Sequence, residues 1–258
     1  MTRTATVNYH VQKPERQAYH IDAGGVFGDL ISPEHAVRNV ALNDTRDGSS
    51  VSFEIDSVEF FMAPSTVTNF DADQSWTGTY DRELTTLLTR EIGAKEVVVF
   101  DHTVRSDDPN AVRKPARNVH SDYSAHGAQQ RLIDILGAQT AAEWARGHFA
   151  FINIWRPVEN PINSAPLGFV RPSSVPDGDW LLLDLIYPDR KGQIMGLVAN
   201  DDHEWVYQSR MTPEDVAVFN IYDNSGRASI AHSALEMVEN PSIEIPRKSI
   251  ESRTLIRY

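Results

Sequence analysis

The sequence has no cysteine among its 258 residues. That absence excludes a disulfide framework, a thiolate zinc site, cysteine-ligated iron–sulfur clusters and a cysteine nucleophile, so any metal must be held by imidazole nitrogen and carboxylate oxygen. Basic residues are in short supply, 24 against 36 acidic ones, for a formal net charge of −12. A phosphate backbone or an anionic membrane surface is repelled on average, and neither nucleic acid nor membrane is expected as a partner. Long apolar runs are also lacking. The stretch at 181–183 is interrupted by Asp179 and Asp184, and the first twenty residues carry no apolar core of the secretory type. Neither a spanning segment nor a secretory leader is expected, and the chain reads as cytoplasmic. Repeats at solenoid or propeller periods, low-complexity tracts and linkers do not occur. The length fits one folded unit over 1–258.

What is present is punctuated β pattern. The first fifty residues read as turn-rich, with Gly24-Gly25 and Asp47-Gly48, and 51–61 alternates apolar and polar residues as a half-buried strand does. Residues 81–92 space apolar side chains at 84, 87, 88 and 92 as an amphipathic helix, with Asp81 as N-cap and Gly93 as terminator. A β-branched run at 96–102 predicts a buried strand. Helices are predicted from a Ser124 cap through 136 and again over 138–146. From 149 onward eight strands are expected at 149–156, 167–171, 179–187, 192–199, 203–209, 215–222, 228–235 and 250–257. Turn residues such as Asn160-Pro161, Asn200-Asp201 and Asn240-Pro241 separate nearly all of them. Closely spaced strands without crossover helices predict a mainly β antiparallel barrel or sandwich with flanking helices, the leading helices covering one outer face. A β-sandwich binding module fits the same pattern.

Nine histidines invite a census. His10, His35 and His148 have no carboxylate pattern nearby. Two His-x-Asp triplets occur, His20-Ile-Asp22 and His120-Ser-Asp122. In an extended segment residues i and i+2 face the same side, so His120 and Asp122 can converge on one ion. A non-haem iron site needs a third ligand on the same octahedral face. His232, in the strand expected at 228–235, is placed to supply it, with His102 and His203 as rivals. Trp155, Trp180 and Trp205 read as core aromatics, His102 as core or pocket wall, Asp201-Asp202 as a turn pair, and Tyr123 as facing the pocket or its opposite side.

These residues carry a resemblance. The triad, together with DHTVR (101–105), NVHSD (118–122), INIWRP (152–157), DLIYPD (184–189), WVY (205–207), AHSA (231–234) and PRKSIESR (246–253), is similar to the Fe(II)/2-oxoglutarate-dependent oxygenases. The likeness is to their secondary-metabolite branch, which holds the cephamycin methoxylation partner protein, the novofumigatonin endoperoxygenase and gibberellin-desaturase-like proteins. It runs from about residue 50 to the C-terminus. It implies a double-stranded β-helix (jelly-roll, cupin-like) fold, with 1–95 an N-terminal strand and helix extension and 96–258 the β-helix core. It further implies His120, Asp122 and His232 as iron ligands, 2-oxoglutarate as co-substrate, O₂ as oxidant and a small natural product as prime substrate. An arginine on the strand after the distal histidine is implied to grip the co-substrate's far carboxylate: Arg253 first, then Arg247, with Arg156 third. Arg253 could instead be a surface strand residue paired with Glu251.

Two other functions stay open at this point. One is a cupin-like metal enzyme that does not use 2-oxoglutarate; the other is a catalytically inactive partner subunit. A homodimer or a partner enzyme is allowed as the association.

Overall fold

The computed structural model describes residues 3–239 and 245–258; the turn expected at Asn240-Pro241 lies outside the described residues. The first part of the chain runs β1 (Arg3–His10), β2 (Ala18–Ile21), β3 (Leu30–Ile31), β4 (His35–Asp44), α1 (Phe53–Asp56), β5 (Val58–Met62) and α2 (Thr77–Ile92). It continues with β6 (Glu96–Ser106), β7 (His120–Ser121), α3 (Ala125–Trp144), β8 (Phe149–Pro157), β9 (Leu167–Val170), β10 (Trp180–Ile186) and β11 (Lys191–Leu197). The last strands are β12 (Trp205–Tyr207), β13 (Asp215–Asp223), β14 (Ala231–Ala234), β15 (Glu236–Met237) and β16 (Lys248–Arg257).

Among the described residues these strands form two sheets. The larger has eleven strands in the order β15-β1-β4-β12-β9-β14-β7-β11-β10-β2-β3, the smaller five in the order β5-β13-β8-β16-β6. Named strands pair antiparallel except β2 on β10 and β4 on β12. No helix among the described residues is long and apolar enough to cross a membrane.

The smaller sheet is covered on both faces, which is why its strands read as near-continuous apolar runs. All nine residues of β8 are buried. Phe149, Phe151 and Trp155 join Phe169 and Val206 in the core between the sheets. Ala150, Ile152 and Ile154 face the other way, against Leu84, Leu87 and Leu88 of α2. β13 divides likewise, Ala217, Phe219 and Ile221 inward and Val216 and Val218 outward. The period of two thus assigns each residue a layer. Three leucines at roughly 1.5–3 kcal/mol each outweigh the marginal stability of an isolated sixteen-residue helix, so packing, not propensity, holds α2 on the sheet. It is the outer-face helix the sequence leads one to expect.

Several expectations need correction. The turn-rich opening contains β1 and β4, which pair over eight positions; β1 buries Ala5, Val7 and Tyr9 against Val170, Leu197 and Trp205. The strand expected over 51–61 is broken. Ser52 caps a single helical turn by accepting from the Ile55 amide, Ser57 takes a left-handed conformation, and pairing begins only at Val58. α2 starts at Thr77 rather than at an Asp81 cap, with Asp81 inside it. The two helices expected after Ser124 are one element interrupted at Gly137, whose φ of 74° departs from helical geometry. Ser124 does cap it, accepting from the Gly127 amide. His148, read as remote from carboxylates, lies with Nε2 2.9 Å from Asp223 Oδ2 and its ring on Tyr258.

Gly196 of β11 pairs in register with His120. A Cβ there would sit 2.4 Å from His10 Cδ2 and 2.7 Å from Leu183 Cδ1, closer than real contacts allow. Gly196→Ala should therefore destabilise the fold by about 1–3 kcal/mol through overpacking, read as a lower urea midpoint. Unchanged stability would mean His10 can leave its buried position.

Candidate active site

Two neighbouring strands of the larger sheet bring two histidines together. His232 of β14 pairs in register with His120 of β7, and their rings lie 4.5 Å apart. Asp122 follows β7 directly. Across the interior, the smaller sheet aligns Asp101, Arg253 and Asn153 in one row through the β6–β16 and β16–β8 pairings. Asp122 sits between the two sheets' contributions.

The result is a convergence on Asp122. His120 Nε2 is 3.4 Å and His232 Nε2 3.9 Å from Asp122 Oδ1, and one ligand atom from each residue lies within 4.8 Å of the others. Two ligands at right angles, each about 2.1 Å from a metal, are roughly 3 Å apart, so small adjustments let all three share one ion. The hydrogen bonds orient them for it. His120 Nδ1 lies 2.8 Å from the Asn118 carbonyl, a partner that requires a proton on Nδ1 and leaves the Nε2 lone pair facing Asp122. Asp122 Oδ2 accepts from Asn153 Nδ2 at 2.8 Å and from Arg253 Nε at 3.0 Å. Its other oxygen is left to the imidazoles.

The electrostatics agree. Burial pushes the Asp122 carboxyl up, but the Arg253 guanidinium beside it outweighs that and holds the group well below the usual carboxylate range. Burial, helped by the neighbouring His120, lowers His232 to about 3. At neutral pH the site therefore offers an anionic oxygen and a neutral imidazole, the forms that bind a metal.

The other candidates fall elsewhere. His20 is exposed on β2, and Asp22 of the same triplet accepts from the Gly28 amide. His102 contacts Ser252 Oγ at 2.8 Å and Asp81 Oδ1 at 2.9 Å. His203 contacts the Tyr9 hydroxyl and Asp179. Neither rival joins the cluster. Trp155 and Trp205 are buried in the core and Trp180 is half-buried; Asp201-Asp202 form a turn.

Beside the cluster opens a cavity of about 630 Å³, whose lining includes Asp122, Tyr123, His102 and Arg253. Tyr123 thus faces the pocket. Of the three arginines proposed for the co-substrate, Arg253 alone lines it. Arg253 Nη1 donates to Asp101 Oδ2 at 2.6 Å and Nη2 pairs with Glu251, so the alternative partner Glu251 is present but in the interior, not at the surface. Arg247 is buried, its Nη1 donating to the Ala165 carbonyl and its guanidinium lying over Trp155. Arg156 donates to the Ala63 and Pro213 carbonyls. Both brace the main chain away from the cavity.

Residues 7–257 match the family model described as the oxidoreductase/YMDC permease-like domain. The chain belongs to that family. Among curated relatives of this oxidoreductase-family chain, the hydroxylase/desaturase efuI of Hormonema carpetanum is 29% identical over 99% of this chain and 95% of its own length. The Fe(II)/2-oxoglutarate-dependent dioxygenase nvfI of Aspergillus novofumigatus is 26% identical over 97% and 82%. The solved iron and alpha-ketoglutarate-dependent endoperoxidase NvfI superposes with a TM-score of 0.81 at 21% identity, covering 100% of this chain and 97% of that one. The two-sheet fold is the mainly β jelly-roll of the Fe(II)/2-oxoglutarate oxygenases.

Sequence reasoning did not single out Asn153, Asp101 as a guanidinium partner, or Arg131 and Gln193 on the cavity wall. Asn153 did leave a signal. An amide between Ile152 and Ile154 in an apolar run is costly to bury without a partner, and it marks an inward position with a polar task.

Proposed function

We propose that this protein is a non-haem Fe(II)/2-oxoglutarate-dependent oxygenase of a small natural product. The observation that carries the reading is the convergence of His120 Nε2, His232 Nε2 and Asp122 Oδ1 beside a cavity of about 630 Å³, a volume suited to a small organic ligand. Two imidazoles and one carboxylate on one face fit non-haem iron with open positions for co-substrate and O₂. Bound iron with 2-oxoglutarate and O₂ supplies the oxidising power that removes hydrogen from an unactivated C–H bond, the co-substrate leaving as succinate and CO₂. The protein's share is placement. His120, Asp122 and His232 would hold the metal, while Asn153 and Arg253 fix the other Asp122 oxygen. Arg253, which lines the cavity and pairs with the half-exposed Asp101, would also receive the co-substrate's far carboxylate.

Hydroxylation, desaturation and rearrangement all follow from the same abstraction. Halogenation is disfavoured, because Asp122 occupies the position that a halide would need. Protein loaded anaerobically with Fe(II) and then given O₂ and 2-oxoglutarate should form succinate slowly without any prime substrate. Loaded metal with no succinate, substrate present or absent, would overturn the reading in favour of a metal enzyme that does not use 2-oxoglutarate. Failure to retain iron at all would favour an inactive partner subunit.

A further inference from the structure

The cavity is basic in a strongly acidic chain. Five arginines line it, Arg105, Arg113, Arg131, Arg190 and Arg253, against the carboxylates of Asp71, Asp101 and Asp122, although the whole chain carries a net charge of −12. Arg253 is already matched by three carboxylates, Asp101, Asp122 and Glu251, which leaves Arg105, Arg113, Arg131 and Arg190 facing Asp71 along the lining. Among the described residues Arg190 makes no ion pair, and Arg113 makes a long one, 3.3 Å from Asp22. Guanidinium groups gathered in one concave site against the sign of the molecule focus a positive potential there.

Arg113 and Arg190 share a further feature: each lies over an aromatic ring of the same lining. The Arg113 guanidinium is 4.0 Å from the centre of Phe27 and that of Arg190 is 3.8 Å from the centre of Tyr187. The sheet brings them to one end of the cavity. β2 pairs with β10 up to Ile186, and β3 pairs with β2, so the segment carrying Phe27 borders the turn carrying Tyr187 and Arg190. That segment is unusually apolar for exposed chain: Val26, Phe27, Leu30 and Ile31 are each more than half exposed. Stacking fixes a guanidinium's plane and lowers the entropy lost when an anion docks, while exposed apolar residues beside a pocket indicate a surface that a ligand covers.

Building on the oxygenase reading, we propose that the prime substrate is an amphipathic organic acid, its carboxylate received by Arg113 and Arg190 and its apolar skeleton laid against Phe27 and the neighbouring apolar segment. The carboxylate is then held by Arg113 and Arg190, the near part of the skeleton rests on Phe27, and the remainder extends along the cavity toward Asp122. A neutral compound of the same shape would leave Arg190 without an anion and Arg113 with only its long contact to Asp22, and would gain only the apolar contacts.

The test uses whole protein loaded anaerobically with Fe(II) and 2-oxoglutarate, titrated calorimetrically with naphthoate and octanoate, each compared with its neutral amide. Wild-type protein should bind the acids at least about tenfold more tightly than the amides. Arg113→Gln and Arg190→Gln should each cost about fivefold to thirtyfold in acid affinity, the range for one charge-assisted contact near the surface, and the double variant should abolish the preference. Phe27→Ala should weaken acid and amide alike. Equal affinity for acid and amide, or no measurable binding of either acid, overturns the proposal, as does a preference that survives in the double variant. Succinate formation by wild-type protein without any probe reports on the oxygenase reading separately, so the two failures are distinguishable.

Discussion

His120→Ala or His232→Ala should strip the protein of most of its Fe(II). Loss of a group that merely orients a metal ligand costs about tenfold to a hundredfold in affinity, so loss of a ligand should exceed about a hundredfold, read as iron retained after anaerobic reconstitution and desalting. Asp122→Ala should abolish succinate formation while the protein stays folded, because Arg253 keeps Asp101 and Glu251 as partners and no buried guanidinium is left unpaired. His20→Ala is the control: its ring is exposed and apart from the cluster, and iron retention should not change. Iron lost with His20 and kept without His120 would move the metal to the first His-x-Asp triplet.

The second large effect belongs to Arg253. A charge-assisted grip on a carboxylate in a partly dry pocket contributes about 2–5 kcal/mol, so Arg253→Ala should weaken 2-oxoglutarate by roughly thirtyfold to several thousandfold. Because Arg253 Nε also holds Asp122 Oδ2, the same substitution should weaken iron by about tenfold to a hundredfold. Arg253→Lys should rescue neither fully, since an ammonium cannot reach Asp122, Asp101 and Glu251 in one plane. Arg247→Ala and Arg156→Ala should instead lower the unfolding midpoint, the first by leaving the buried Ala165 carbonyl without its donor and the second by freeing the half-buried Ala63 and Pro213 carbonyls. The apparent co-substrate affinities of the three variants, measured side by side, decide the assignment. If Arg247→Ala gave the largest loss and Arg253→Ala almost none, the co-substrate carboxylate would lie beside Arg247 instead of Arg253.

Much of this is legible in the sequence. The strands from 149 onward follow from turn residues and apolar runs, and β8, β10, β13 and β16 begin and end within a few residues of expectation. The opening strands were not legible. β1, RTATVNYH, mixes threonine, asparagine and arginine with its apolar residues, and only the outer face of the larger sheet explains why Ala5, Val7 and Tyr9 are buried. The break within 51–61 was hidden for the opposite reason, since the alternation of Val51, Phe53 and Ile55 masked Ser52 as the cap of a helical turn, although the phase slips at Ser57.

The site divides the same way. Sequence by itself determined the chemistry available: no thiolate, two His-x-Asp triplets, a late histidine and several arginines, and the period of two that puts His120 and Asp122 on one side. Only the tertiary structure decided which residues meet. His232 is 112 positions from His120, and they become neighbours because β14 pairs directly with β7, a register that sheet assembly sets and local spacing does not. Strand order likewise sorted the arginines, placing Arg253 opposite Asn153 and Asp101 on the inner face while Arg156 braces carbonyls elsewhere. A side chain's charge is written in the sequence; its partner is fixed by which strands lie side by side, because ion pairs and metal ligation act over a few ångströms.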